Sequence, residues 1–181
     1  MIEARAGARP VALLAAMLAA AALLTACATR PPDLAETPWT SGRLSVRVDA
    51  FAEAPARSVS AAFDLRGNGQ QGELRLSSTL GSLIATASWA PGVARLRTGD
   101  SDTAFDDLDT LARHALGESL PLSALPDWLA GRPWPHAAST VDAEGFMQLG
   151  WRVTLTRWAE GFVDAERTAP PAVKLRARIE R

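Results

Sequence analysis

The chain has 181 residues, in which 19 lysine and arginine side chains stand against 20 aspartate and glutamate side chains, for a formal net charge of −1. A protein that binds nucleic acid carries an excess of basic residues, so this near balance argues against nucleic acid as a partner. The single cysteine excludes a disulfide framework, and with two histidines it leaves too few ligands for a conventional zinc site.

Residues 1–26 are predicted to be a signal peptide. Arg5 and Arg9 precede an apolar run over residues 11–24, which is too short to span a bilayer comfortably. The sequence L-T-A-C follows and ends at Cys27, and it is similar to the bacterial lipobox, in which cleavage leaves the cysteine as an acylated N-terminus. We therefore expect a covalent lipid on Cys27 and no other cofactor. An uncleaved signal anchor with an unmodified Cys27 is the alternative.

The residues after Cys27 indicate where the protein resides and how its domain is attached. Bacterial lipoproteins kept at the inner membrane typically have aspartate in the next position, and Ala28 stands there, which favours the outer membrane on its periplasmic side. Residues 27–38 contain three prolines and few large apolar residues, so they are predicted to form a lipidated flexible tether. Residues 39–181 are long enough for a single domain with its own core, which we expect to be a monomer.

From Trp39 onward, apolar and polar residues alternate in most segments. This alternation is typical of antiparallel strands with one dry and one solvated face. The segments that show it are 43–48, 59–66, 73–77, 93–98, 147–155 and 173–180.

The sequence G-N-G-Q-Q-G, residues 67–72, has the spacing of a dinucleotide-binding loop. That function requires a helix directly after the loop, so that phosphate lies at the helix N-terminus. Here the strand-like segment E-L-R-L-S follows, and Asn68-Gly69 is a strong hairpin signal. The motif is predicted to be a turn between two strands.

A second tight turn is predicted within residues 75–89, where Leu80 precedes Gly81. Turns favour glycine, asparagine, aspartate, proline and serine because of their backbone conformations or local hydrogen bonds. Gly81 fits this requirement, whereas Leu80 places a large apolar side chain at the tip without an evident structural need.

Two segments have the spacing of helices. Residues 101–117 repeat apolar side chains at helical intervals, with Ser101, Asp102 or Thr103 as the N-cap and Gly117 after the last turn. Residues 121–131 are predicted to form a second short helix that ends at Gly131. The pair interrupts a long antiparallel sheet once.

The dry face of the sheet and the apolar faces of the helices must be buried against each other. We therefore expect a mainly β fold in which the sheet curls into an incomplete antiparallel β-barrel. The helices then cover or plug its concave side, and both apolar surfaces are buried.

The sequence gives little support to catalysis, so we expect a protein that is not an enzyme. The nucleophile motif G-x-S-x-G is absent. His114 lies beside an apolar helical stripe and is expected to be partly buried, and His136 lies in a loop. The aspartates at 106, 107 and 109 are interpreted as helix-start electrostatics. A hydrolase with a serine near His114 stays open as an alternative.

Four segments in order carry a family resemblance: T-S-G-R-L-S-V-R (40–47), L-R-L-S-S-T-L-G-S (74–82), D-W-L-A-G-R-P (127–133) and G-F-M-Q-L-G-W-R-V-T-L-T-R-W (145–158). With the lipobox before them, they resemble the LolB family of outer-membrane lipoprotein receptors, over residues 39–181. The resemblance implies an incomplete barrel that accepts acylated lipoproteins from a periplasmic carrier similar to LolA. It also implies that the protein inserts them into outer-membrane lipid.

The family's membrane-insertion residue is a leucine in a protruding proline-leucine-glycine turn. Leu80 in T-L-G matches this residue, with Thr79 in place of the proline. The alternative is that Leu80 folds back onto Leu83 or Ile84.

Carrying acyl chains through water requires an apolar cavity, because each buried CH₂ contributes about 0.8 kcal/mol. The residues that alternate toward the dry face, with those on the apolar helix faces, are candidates to line it. The same residues would also suit a solid core, so a structural or assembly outer-membrane lipoprotein with a protein or cell-wall partner is the alternative. The candidates are Leu44, Val46, Phe63, Leu65, Leu74, Leu76, Leu96, Phe105, Leu108, Leu111, Trp128, Leu129, Trp151, Val153 and Leu155.

Overall fold

The computed structural model describes residues 34–181, and residues 33–181 form one compact unit. This part contains two α-helices, α1 (Leu108–Leu116) and α2 (Leu125–Leu129), and 3-10 turns at Leu34–Glu36 and Trp158–Glu160. Its strands are β1 (Thr40–Val48), β2 (Arg57–Gly67), β3 (Gly72–Ser77), β4 (Leu83–Ala90), β5 (Val93–Thr98), β6 (Asp102–Phe105), β7 (Ser139–Val141), β8 (Gly145–Gln148), β9 (Trp151–Thr154), β10 (Phe162–Arg167) and β11 (Val173–Ile179).

All eleven strands belong to one antiparallel sheet, which confirms the expectation of a mainly β fold. The strand order is β6-β5-β4-β3-β2-β1-β11-β10-β9-β8-β7. In the described part of the chain β6 and β7 are the two edges and do not pair, so the sheet does not close. β1 joins the two halves, since Leu44 pairs with Ala61 of β2 on one side and with Ala177 of β11 on the other.

One face of the sheet is buried together with both helices. Alternate residues of the central strands point to this inner face, as Phe63 and Leu65 do in β2 and Leu175 and Ala177 do in β11. They form a single apolar cluster with the inward sides of α1 and α2. The opposite, outer face carries most of the arginines, as the alternation predicts.

Helix α1 begins later than the sequence predicts. Its N-cap is Asp107, whose carboxylate accepts a hydrogen bond of 2.7 Å from the amide of Thr110, so the expectation of a cap at Ser101, Asp102 or Thr103 was wrong. Residues 102–105 instead pair with β5 as edge strand β6. The error arose because Phe105 points inward from a strand at the spacing that a helix would give it. The predicted end at Gly117 is confirmed, with a left-handed φ of 73°.

Helix α2 covers five residues and is shorter than the predicted span of 121–131. Pro126 lies in its first turn, where a missing amide hydrogen costs nothing. Ala130 caps the helix, and Gly131 follows with a φ of 75°.

The segment 147–155 is a hairpin rather than the single strand that its alternation predicted. Leu149 and Gly150 form the turn between β8 and β9, and both have positive φ. Trp151 and Val153 are therefore buried, whereas Met147 and Leu149 are exposed instead of aligning with them. The alternation failed here because an apolar pattern does not show that Leu149 occupies a left-handed turn position.

The two other predicted turns agree with the structure. The sequence G-N-G-Q-Q-G connects β2 to β3, where the Asn68 side chain accepts hydrogen bonds from the amides of Gln70 and Gln71. Residues 78–82 connect β3 to β4.

Candidate functional site

The turn between β3 and β4 is held by hydrogen bonds that centre on Ser78. The Ser78 amide donates to the carbonyl of Ser82 at 2.8 Å, and the Gly81 amide donates to the carbonyl of Ser78 at 2.9 Å. The Ser78 hydroxyl accepts from the amides of Leu80 and Ser82 at 3.3 and 3.2 Å. Gly81 has a φ of 84°, which glycine adopts without steric cost. The turn is therefore short and fixed.

Leu80 projects from this turn into solvent, with 93% of its surface exposed. It does not fold back onto Leu83 or Ile84, which are themselves 62% and 47% exposed. A register shift after Leu76 leaves Ile84 outside the strand pairing, so both flanking side chains are turned outward. We call Leu80, Leu83 and Ile84 the apolar tip. The turn residues beside Gly81 predicted Leu80 at the tip, but the sequence did not predict the bulge that exposes its neighbours.

The fifteen residues proposed to line a cavity are brought together in one core cluster with the helices. They contact one another and their neighbours as a packed interior. Ten are buried: Val46, Phe63, Leu65, Leu74, Leu108, Leu111, Trp128, Leu129, Trp151 and Val153. Five are partly buried against them: Leu44, Leu76, Leu96, Phe105 and Leu155.

A buried polar network that the sequence did not indicate fixes α2 to the sheet. The Gln148 carbonyl oxygen accepts from the Trp128 indole N–H at 2.8 Å and from the Trp134 amide at 2.9 Å. The Gln148 amide group donates to the carbonyls of Trp134 and Ala137 at 2.8 and 2.9 Å. The side-chain amide is thereby fully satisfied. The one available signal was its inward position, two residues after the buried Phe146.

Aromatic packing adds to this attachment of α2. The Trp128 ring lies 6.0 Å from Trp151 and 6.3 Å from Phe146, in tilted and edge-on arrangements. Within residues 34–181, helix α1 itself makes no side-chain hydrogen bond to the sheet, although Glu118, two residues after its end, binds Arg167 of β10 at 2.9 Å. The buried face of α1 consists of Leu108, Leu111 and Ala112, and the helix rests against β5 and β6.

The outer face near the start of the domain has a compact ion network. Glu73 binds Arg66 at 2.7 Å and Arg75 at 2.8 Å, and both guanidinium groups lie over the Trp39 ring at about 4.5 Å. Burial raises the pKa of Glu73, but hydrogen bonds from the two arginines outweigh it and hold the pKa below its usual value. Trp39, the residue before β1, is thus pinned to the outer face near the β2–β3 turn.

The histidines do not form a catalytic arrangement in the described residues. His114 is exposed and stacks 5.1 Å from Phe105, so the expectation that it is partly buried was wrong. It lies on the solvent side of α1 and takes part in no hydrogen bond within residues 34–181. His136 is exposed in its predicted loop, 5.4 Å from Trp134.

Over residues 34–181, no group of three or more histidine, cysteine, aspartate or glutamate side chains is arranged to hold a metal ion. In the same range no helix has the length and apolar character needed to cross a bilayer. Cys27 and the predicted signal peptide lie outside the described residues.

Comparison with known proteins matches the whole domain. The sequence model of a family described as outer membrane lipoprotein LolB matches residues 38–180. A Chromobacterium violaceum protein named outer-membrane lipoprotein LolB is 35% identical over 154 residues, which cover 80% of this chain and 82% of the relative. Relatives of the same name are 33% identical in Bordetella petrii (82% of each chain) and 32% identical in Cupriavidus metallidurans (87% of this chain, 81% of the relative). The chain therefore belongs to the LolB family of outer-membrane lipoproteins.

Proposed function

We propose that the chain accepts acylated lipoproteins from a periplasmic carrier similar to LolA, holds their acyl chains in its apolar interior and releases them into the outer membrane. Membership of the LolB family makes it a non-enzymatic outer-membrane lipoprotein receptor. The observation that carries the proposed mechanism is the exposure of Leu80, which a fixed turn holds almost fully in solvent.

The proposal includes the processing that the N-terminal sequence predicts. Removal of residues 1–26 leaves Cys27 as the acylated N-terminus, and residues 27–38 tether the domain of residues 39–181. The lipid on Cys27 holds the monomeric protein at the periplasmic side of the outer membrane.

We further propose that the sheet curves around the helices as an incomplete barrel. Support comes from the core, in which inward side chains of β2 and β3 share one apolar cluster with those of β8 to β11 and with both helices. Strands far apart in the sheet order meet the same cluster when the sheet bends toward it.

The fifteen candidates lie together in one buried cluster, so we propose that one element moves to admit acyl chains. The free energy gained by burying acyl chains is large. Each buried CH₂ contributes about 0.8 kcal/mol, and several long chains together reach tens of kcal/mol. Helix α1 is the better candidate to move, since its buried face makes only apolar contacts, and one ion pair, Glu118–Arg167, holds the segment after it. Four hydrogen bonds to Gln148 and aromatic packing secure α2 and the loop after it. Apolar contacts are non-directional, and acyl chains can replace them.

Transfer then needs no chemical energy source. Cargo moves from the carrier to this receptor and on to the bilayer if each successive site binds the acyl chains more favourably. The segment G-N-G-Q-Q-G, the one motif with nucleotide-loop spacing, forms a hairpin turn in the structure.

The apolar tip acts at the last step. Burial of one leucine side chain in the acyl region contributes roughly 1.5–3 kcal/mol. That is too little to anchor a protein alone, but it is sufficient to orient a domain that the Cys27 lipid already keeps at the membrane.

Substitution Leu80→Glu tests the role of the tip. We expect the variant to fold and to accept labelled lipoprotein from the carrier, but to fail in releasing it into vesicles, because a charged side chain cannot enter the acyl region. Leu149→Glu is the matched control, since it changes an exposed leucine on another hairpin turn. Normal release by Leu80→Glu, or equal loss in both variants, would contradict the role of Leu80.

A photo-crosslinking residue in place of Leu96, which is partly buried against the core, tests the interior site. We expect it to crosslink to acylated lipoprotein during transfer, while the same probe at the exposed Val141 does not. The packed interior favours the competing function, a structural or assembly lipoprotein with a solid core. Absence of crosslinks at Leu96 in a variant that still folds would support that function.

A further inference from the structure

A groove of about 640 Å³ lies on the outer face of the sheet, beside the turn that carries Leu80. Its floor is formed by β2, β1 and β11, where the outward Arg43 and Arg178 lie beside apolar residues such as Ala61, Ala62 and Ala177. One wall is the turn itself, through Ser78, Thr79 and Gly81. The Phe162 side chain forms part of the opposite side.

Two arginines in the floor face each other without an acidic partner. Arg43 of β1 and Arg178 of β11 are directly opposed across the strand pair, where like charges destabilise a sheet. Within residues 34–181 neither of them forms an ion pair, and Arg178 lies 5.5 Å from the Phe162 ring. The fold thus holds two positive charges together without a direct ion pair, while Glu160 and Glu180 line an adjoining groove with them.

Neighbouring cations on the same face form ion pairs, unlike Arg43 and Arg178. Arg176 binds Asp164 at 3.1 Å, Lys174 binds Glu166 at 3.2 Å, and Arg157 binds Glu160 at 2.9 Å. Compensation is therefore the rule on this part of the sheet, and the Arg43–Arg178 pair is the exception to it.

The chemistry of the groove suits a phosphate group. Its lining contains four arginines and one carboxylate, Asp164. Hydroxyl donors from Ser45, Ser60 and Ser78 surround the same space. Guanidinium groups bind phosphate through paired hydrogen bonds, and hydroxyl groups complete the shell of donors.

The position of the groove indicates where such a phosphate comes from. Thr79 and Gly81 line the groove, while Leu80 between them projects into solvent. Side chains buried at a membrane interface reach roughly 5–10 Å into the headgroup and acyl boundary, so a groove one residue away lies at headgroup level. We propose that this groove binds the headgroup phosphate of an anionic phospholipid when the tip meets the membrane. This inference rests on the membrane role proposed for Leu80.

Vesicle binding by the mature chain, residues 27–181 with Cys27→Ser, tests the groove because the covalent anchor no longer dominates. The probes are vesicles of phosphatidylcholine alone and vesicles in which about a third of the lipid is phosphatidylglycerol. We expect the anionic lipid to strengthen binding. We expect R43Q/R178Q to bind the anionic vesicles more weakly than the unchanged protein, by roughly tenfold or more. Binding of the double variant to neutral vesicles should be unchanged.

The matched control is R95Q/R97Q, which removes two outer-face arginines of β5 outside the groove. An equal loss in this control would show a diffuse charge effect and overturn the proposal. So would an unchanged gain in R43Q/R178Q, or full competition by inorganic phosphate at constant ionic strength, which would indicate a free-anion site. Slower cargo transfer from the carrier to R43Q/R178Q without vesicles would instead assign the groove to the carrier.

The membrane role proposed for Leu80 can fail independently of the groove, and a separate measurement shows it. Leu80→Glu reports on binding to neutral vesicles, whereas the arginine variant reports on the difference between the two lipids. If Leu80→Glu binds neutral vesicles normally, the proposed role of the tip fails, whatever the arginine variant does.

Discussion

At the scale of single residues, Leu80 and Gln148 differ in how far the sequence reveals them. Leu80 is conspicuous because a large apolar residue beside a turn glycine has no local reason to be there. Gln148 carries no such mark, because two of its three partners, Trp134 and Ala137, come from a loop eleven to fourteen residues away. A polar residue in a strand does not indicate whether its partners are water or buried backbone.

Gln148→Leu should destabilise the protein, because it leaves the Trp128 indole N–H, the Trp134 amide and the Ala137 carbonyl without their partner. Each unsatisfied buried group costs about 1–3 kcal/mol, so we expect a loss of at least about 3 kcal/mol in the free energy of unfolding. Urea denaturation measures it.

Gln70→Leu is the control, since Gln70 is exposed in the β2–β3 turn and surface changes usually stay within about 0.5 kcal/mol. Similar losses in both variants would show that Gln148 does not secure α2 and its loop.

At the scale of elements, the apolar pattern identified the types of the main segments better than their ends. Residues 102–105 are short enough that helix and strand place Phe105 on the same side, and pairing with β5 decided the outcome. Strand β7 escaped prediction for a related reason, and β10 was also missed, although its Val163 and Ala165 alternate toward the buried face. β7 has three exposed residues and no dry face, so nothing in its pattern distinguishes it from a loop.

Acid should weaken α1 through its N-cap. Hydrogen bonding from the backbone of Thr110 holds the pKa of Asp107 below its usual value of 3.8. A carboxyl with a lowered folded-state pKa stabilises the fold above the unfolded-state pKa, and this contribution is lost as the pH falls through the folded-state pKa. Thermal unfolding between about pH 5 and about pH 3 should therefore show a falling Tm.

Asp107→Asn separates this contribution from those of other acids. Asparagine still accepts the capping hydrogen bond but does not titrate, so its Tm should fall less over the same pH range. Glu73 and Asp142, whose pKa values are also lowered, keep part of the dependence in both proteins. Identical pH profiles would mean that the cap contributes nothing to acid stability.

At the scale of the whole molecule, composition and alternation predicted a mainly β domain interrupted once by helices, and the structure has both features. They could not give the strand order, because β1 pairs with β11 across nearly the whole length of the domain. Nor could they tell a cavity from a core, since apolar residues of the same type and direction line either one. For the fifteen candidates, the apolar pattern predicted that they meet, and the structure shows them in one cluster, ten buried and five partly buried.

The length of the tether should limit insertion. Trp39 is pinned near Arg75, and Leu80 lies five residues beyond Arg75 in the chain, or roughly 17 Å along a strand. Twelve residues from Cys27 to Trp39 span at most about 40 Å, which covers that distance. Deletion of residues 29–36 leaves about 14 Å and should block release into the membrane while cargo acceptance continues.

A glycine-serine segment of the original length, in place of residues 29–36, is the control and should release cargo normally. Transfer of labelled lipoprotein from carrier to receptor to vesicle separates the two steps. Normal release by the shortened protein would show that the tip and the lipid need not reach the bilayer together.

The lipid on Cys27 and the apolar tip would attach the domain to the membrane at two points. The tether enters the domain at Trp39, which lies at a different height on the sheet from Leu80. A lipid on a long tether permits tumbling in every direction, but a second contact through the tip restricts that tumbling. The strands would then stand upright on the bilayer, with the sheet edges β6 and β7 facing sideways. An arriving carrier would meet the same flank of the receptor at each collision and would not compete with the membrane for it.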